Sequence, residues 1–184
     1  SEHGQIPNAA GTYNTDRRSY VTFNTIDSSL WYIIGHHVYA KAYKDTSLLK
    51  KHKKSIESAL QWVQYQDTNE HLLPAQLPTM DWQDAFPHKY GHTINTEALY
   101  YGALRLAGKE KAAEVFQKKA NKELWDAERG FYSAYRWKNH RAFQERGTWF
   151  DSLGNLLAIY FGLADVSKGR KILSYIIENH IHEP

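Results

Sequence analysis

Asp81-Trp82-Gln83-Asp84 places two carboxylates on either side of an indole, and Tyr90-Gly91-His92-Thr93-Ile94-Asn95-Thr96-Glu97-Ala98-Leu99 follows within a few residues. A carboxyl group held against a large aromatic surface is poorly solvated, so its pKa rises and it can act as an acid near neutral pH. Indole and phenol faces also suit the flat C–H face of a sugar ring. Acids interleaved with rings therefore point toward carbohydrate chemistry. Spacing alone does not choose between Asp81 and Asp84 as the acid.

The composition narrows the alternatives. The chain of 184 residues has the length of one domain and can bury a substantial core. No run approaches the roughly 18–20 apolar residues of a membrane span, so no membrane partner is expected. Ser1-Glu2-His3-Gly4-Gln5 has neither a basic nor an apolar leader region, which leaves the cytoplasm as the default compartment. Cysteine is absent, excluding disulfides, thiolate ligands and a cysteine nucleophile. The net charge of +3 gives no argument for nucleic acid. Lys50-Lys51-His52-Lys53-Lys54 is the one basic cluster; flanked by Leu49, Ile56, Leu60 and Val63, it reads as the wet face of an amphipathic helix. Aromatic residues make up 14% of the chain, including 6 Trp and 13 Tyr, and this share is what departs from an average composition.

The elements that must position these residues are helical nearly throughout, and of two alternating kinds. Helices apolar almost all round are predicted from Leu30 to Ala42, Ile94 to Ala107 and Leu153 to Ala164. Charged amphipathic helices are predicted over Ser47–Gln64, Lys109–Glu123 and Ser167–Asn179. Asp45 or Thr46, and Ser167, can cap the charged helices they precede, while Gly108 suits a helix C-terminus. Three α-hairpins thus recur at about 60-residue spacing, each with one buried and one solvated helix. Connectors of roughly 25 residues, from Asp67 to His92 and from Leu124 to Phe150, are long enough to carry function. The second alternates over Phe131–Trp137 and is expected to form a small hairpin with Phe143 and its neighbours; Arg17 to Thr25 also looks extended.

With parallel inner staves and antiparallel outer ones, every long connector lies at the inner N-termini. Asp27, Asp81, Trp82, Asp84, His92, Asn95, Glu97, Trp149 and Asp151 would then converge on one rim. Simpler roles compete with this. Asp27 and Asp151 both stand where a helix N-cap is expected. His88 and His92 are spaced like helical metal ligands, but Pro87 and Gly91 oppose a regular helix and no third ligand stands nearby, so no metal is expected. One of His36 and His37 is expected to be a hydrogen-bonded core histidine. By position, Trp31, Trp62 and Trp125 read as packing, and Trp82, Trp137 and Trp149 as stacking candidates.

Three segments resemble the catalytic core of α/α-toroid glycoside hydrolases, notably amylo-α-1,6-glucosidases (the glucosidase part of glycogen debranching enzymes) and neutral invertases. They are Gly4-Gln5-Ile6-Pro7-Asn8 with Thr25-Ile26-Asp27-Ser28-Ser29-Leu30-Trp31-Tyr32-Ile33; Met80 through Leu99; and Trp149-Phe150-Asp151-Ser152-Leu153-Gly154-Asn155-Leu156-Leu157-Ala158-Ile159. The resemblance implies an all-α fold, an α/α-hairpin toroid of the (α/α)6-barrel type, with about half of the full toroid present in one partial domain over residues 1–184. It implies an inverting glycoside hydrolase acting on an α-glucosidic bond without a cofactor. The family's general acid falls on Asp84, beside Trp82 and Phe86, and Asp27 and Trp31 match sugar-holding positions. Tyr90, His92, Asn95, Glu97 and Trp149 join Asp81 and Trp82 as expected substrate contacts. Asn95 departs from the family, where a glutamate is usual.

The length also departs from the family, in which the general base sits on a hairpin later than Pro184 would allow. Inversion needs two carboxyls roughly 6.5–9.5 Å apart, and this chain supplies one of them. Asp151, Glu97 or Glu145 could substitute for the other, but a fragment of a larger enzyme is the favoured expectation. Exposed edges of the incomplete ring would then associate with the remainder of the toroid or with another copy. Two other readings remain: a non-catalytic hairpin domain that binds carbohydrate or a protein, and a toroid lyase or epimerase.

Overall fold

The structure is a computed structural model that describes residues 1–11, 20–68, 70–83, 88–140 and 143–182. Two short strands, β1 (Ala9–Gly11) and β2 (Tyr20–Thr22), pair antiparallel ahead of the first inner helix. The inner helices are α1 (Asp27–Tyr43), α4 (Ile94–Leu106) and α6 (Ser152–Phe161). The outer ones are α2 (Ser47–Lys51) with α3 (Lys53–Gln64), then α5 (Glu110–Leu124) and α7 (Val166–Glu178). The remaining strands are β3 (His92–Thr93), β4 (Trp125–Asp126), β5 (Phe131–His140) and β6 (Phe143–Phe150).

The three inner helices run parallel. Gly154 at the start of α6 abuts Ile94 and Asn95 at the start of α4, and Phe161 at the end of α6 lies on Gly102. Val38, Lys41 and Ala42 of α1 share a cleft with Gly102, Arg105 and Leu106 of α4, so their C-terminal ends also coincide. The outer helices return antiparallel: Tyr32 and His36, one turn apart on α1, meet Ser55 and His52 in reverse order. α4 is buried along almost its whole length, while its flanking neighbours leave Trp31, Val38, Leu156 and Tyr160 exposed.

The chain departs from an all-α fold in its second connector. β5 is ten residues long and pairs antiparallel with β3, β4 and β6, making a four-stranded sheet larger than the hairpin expected. Aromatic residues drive it. Phe131 and Tyr132 are buried, and Phe131 and Phe150 clamp Tyr175 of α7 at ring distances of 4.6 and 5.0 Å.

Other boundaries shift for local reasons. The first charged helix breaks at His52 into α2 and α3. Asp165, rather than Ser167, caps α7 by accepting from the Lys168 N–H at 2.8 Å. Asp45 accepts from Ser47 N–H and hydroxyl, and Gly108, with φ +70°, ends α4 as expected. His36 bonds Tyr32 O at 2.8 Å but is only half-buried. Trp62 and Trp125 pack on the core, and no helix among the described residues is long and apolar enough to cross a membrane.

Close approach of α4 and α6 yields a stability test. A Cβ at Gly154 would lie 2.9 Å from the Asn95 backbone nitrogen and 2.5 Å from Ile94 Cγ2. Gly154→Ala is expected to lose about 1–3 kcal/mol, read as a lowered urea midpoint. Gly35→Ala, on α1 with nothing within 4 Å, should gain up to about 1 kcal/mol instead. Equal effects of the two would show that the helices can separate freely.

Candidate functional site

Each inner helix begins at a polar or acidic residue, for different reasons. Asp151 caps α6, its Oδ1 accepting from Gly154 N–H at 2.9 Å. Thr93 caps α4 by accepting from Thr96 N–H at 3.4 Å. Asp27 does not cap α1 with its side chain, contrary to expectation: it is the first helical residue, after Ile26, and its carboxyl turns to Thr25 and Ser28. Burial, reinforced by the nearby charge of Asp81, raises the pKa of Asp27.

A polar chain joins these three starts. Gln76 Oε1 accepts from the hydroxyls of Thr93 at 2.8 Å and Thr96 at 2.6 Å, while its Nε2 donates to Asp81 Oδ2 at 3.2 Å. Lys89 Nζ then lies 3.1 Å from Asp81 Oδ2 and 2.9 Å from Asp151 Oδ2. Lys89 is only 2% exposed. The first connector is also tied to α1, because Ile26 N–H donates to Met80 O at 2.8 Å. One buried ammonium between two carboxylates thus anchors the N-terminal ends of all three inner helices. Neither Gln76 nor Lys89 stands out in the sequence. The only hint is a lone cation between the acid cluster and an apolar helix.

Rings surround this centre. Trp82 is 51% exposed, with its ring 5.8 Å from Lys89 Nζ. Trp149 is 42% exposed, 5.8 Å from the His88 ring and 5.3 Å from the Tyr135 ring. Trp31 lies one turn along α1 from Asp27 and is 43% exposed, so it is not a packing residue. Tyr90 stacks obliquely on Tyr135 at 5.1 Å, and the hydroxyls of both donate to Glu145. Those two bonds hold the Glu145 carboxyl below its usual range. Asp84 and Phe86 lie outside the described residues.

His92, Asn95 and Glu97 face inward. Glu97 is wholly buried, and neither of its oxygens nor either amide atom of Asn95 has a hydrogen-bond partner among the described residues. Burial holds Glu97 well above the carboxylate range, and the Asp67 charge pushes the same way. His92 is pulled down by burial. Its Nδ1 lies 3.1 Å from Pro74 O, an acceptor, and so carries the proton. Burial opposes the charge on both partners of the 3.7 Å His92–Glu97 contact, which is an ion pair only when His92 is protonated. No group of three His, Asp or Glu among the described residues could hold a metal ion.

Two measurements test this centre. Lys89→Met leaves two buried carboxylates without their cation and is expected to lose about 3–5 kcal/mol in urea unfolding; adding Asp81→Asn and Asp151→Asn should recover much of it. Glu97 governs a pH dependence. Its raised folded pKa adds stability that is complete below the unfolded carboxylate pKa and is lost as pH rises through the folded value, by up to about 1.4 kcal/mol per unit. His92, with a lowered folded pKa, contributes in the opposite sense: its share is present above the unfolded imidazole pKa and lost as pH falls through the folded one. Glu97→Gln should therefore flatten the alkaline arm and leave the acid arm. A variant tracking the parent protein as pH rises above the ordinary carboxylate range would contradict a raised Glu97 pKa.

No protein-family model matches the chain, and no curated protein matches it by sequence. Among solved structures, it is similar to a rhamnosidase from Klebsiella oxytoca with rhamnose bound, with a TM-score of 0.71 and 13% identity. The match covers 97% of this chain but 35% of the rhamnosidase, so the chain spans about a third of that protein's length. At this identity the likeness is one of fold: the alternating helical hairpins belong to an architecture that a glycosidase also uses.

Proposed function

We propose that this chain forms part of the catalytic domain of an inverting glycoside hydrolase that cleaves an α-glucosidic bond, in the manner of debranching glucosidases or invertases. The observation that carries this reading is the convergence of Asp81 and Asp151 on Lys89 at the inner-helix N-termini, with Asp27 near enough to Asp81 to feel its charge and the exposed indoles of Trp82 and Trp149 close by. The fold likeness to a rhamnosidase supports the glycosidase class, and the three motif resemblances favour a glucoside over a rhamnoside.

In this proposal Asp84 protonates the leaving oxygen. Trp31, Trp82 and Trp149 hold sugar faces, and Tyr90 and Asp27 bind hydroxyls. His92, Asn95 and Glu97 contribute from beneath, shaping the floor. The second carboxylate of the inverting pair comes from further hairpins that complete the ring, in the same polypeptide or another copy. Asp81 and Asp151 are committed to Lys89 and poorly placed to activate water.

A sugar-binding domain without catalysis is the second reading, favoured by that same neutralised pair. Asp84→Asn, in the longest natural protein that contains this segment, separates the two. Turnover of aryl α-glucosides is expected to fall about 10²–10⁴-fold with glucose affinity kept in calorimetry. Turnover unchanged by Asp84→Asn would remove Asp84 from the chemistry, and faster hydrolysis of aryl rhamnosides would overturn the choice of sugar.

A further inference from the structure

Five rings form an unbroken path from the site along the β5–β6 hairpin. His88 meets Trp149 at 5.8 Å, Trp149 meets Tyr135 at 5.3 Å, Tyr135 meets Tyr90 at 5.1 Å, and Tyr90 meets Trp137 at 5.3 Å. Tyr135 is the buried spine of this path; Trp149 is exposed, and Tyr90 and Trp137 are half-buried. Two glycines fix the rings. A Cβ at Gly91 would lie 2.7 Å from Trp137 Cε3, and one at Gly147 would lie 2.4 Å from Tyr135 and 2.8 Å from Trp149. Trp137, Tyr135 and Trp149 therefore sit directly on backbone, where nothing bulkier would let them settle.

Midway along the path lies Glu145, exposed and receiving the hydroxyls of Tyr90 and Tyr135. Among the described residues it has no cation within ion-pair distance. A carboxylate offers about four acceptor sites, so two hydroxyl donors leave room for more. An anionic ligand would be repelled by this charge, which no described cation pairs with. An apolar peptide would strip water from the carboxylate and give nothing back. A neutral molecule with a flat apolar face and a rim of O–H donors satisfies rings and carboxylate together, and because the rings are already ordered, little freedom is lost on binding.

We propose that the β5–β6 hairpin carries an additional sugar subsite centred on Trp137, Tyr90 and Glu145, so that the substrate is an oligosaccharide or polysaccharide extending beyond the scissile bond. The inference rests on the glycoside hydrolase reading for its location but not for its test, which measures binding alone.

Calorimetry of the whole chain with glucose and with maltotetraose provides that test. Affinity should rise about tenfold or more from the single ring to the tetrasaccharide. Trp137→Ala should abolish the gain while leaving glucose affinity unchanged. Glu145→Gln, which keeps the shape and removes the charge, should reduce the gain in part, and Trp137→Phe, which keeps an aromatic face, should retain some of it. A wild-type chain that binds glucose and maltotetraose equally overturns the subsite alone. Equal losses for both sugars in Trp137→Ala overturn it too. Failure to bind either sugar overturns the subsite and the glucoside reading together.

Discussion

A lysine ammonium almost cut off from water, held between Asp81 and Asp151, is the constraint from which the mouth of this molecule follows. Desolvating that charge costs several kcal/mol, which two close carboxylates and their own hydrogen bonds offset. Each partner is engaged a second time: Asp81 by Gln76 and the Gln83 N–H, Asp151 by the first turn of α6. Displacing any member would expose a buried charge, so the group acts as a geometric lock more than as a source of stability.

α4 occupies the complementary position. Its neighbours press so closely that Gly154 and Gly102 are the residues that allow contact. The same burial encloses Glu97 and Asn95 without hydrogen-bond partners among the described residues, an unfavourable arrangement in a core. Keeping Glu97 neutral lessens the cost, since an uncharged carboxyl is far cheaper to desolvate than a carboxylate. Locally unfavourable polar groups are common where structure serves a purpose other than stability.

Much of the scaffold was legible because helical periodicity survives any tertiary detail: the alternation of apolar and charged helices, the α6 cap at Asp151 and the turn at Gly108 follow from local residues. The sheet exceeds the hairpin that alternation reveals because β5 also pairs with β3, which is distant in sequence, and Asp165, two residues before Ser167, takes the cap of α7. In the site, the acids and indoles were visible, but their binding agent was not. Lys89 is one cation among 23, and its meaning depends on Asp151, which is 62 positions away. Glu97 looked like a rim acid; helical geometry puts it on the face of Tyr100 and Leu104, which points into protein.

The first connector begins and ends at one point. Gln76 and Gly91 exchange backbone hydrogen bonds of 2.9 and 2.8 Å, closing the residues between them into a loop whose base is a single bridge. For a loop closed in this way, doubling its length costs only about 0.6 kcal/mol in closure entropy. Insertions between Leu77 and Met80 would enlarge the rim without disturbing the helices beneath. Such a hinge-based loop is where descendants of one scaffold can diverge in what they recognise, through indels tolerated by the fold and not through rebuilding of its core.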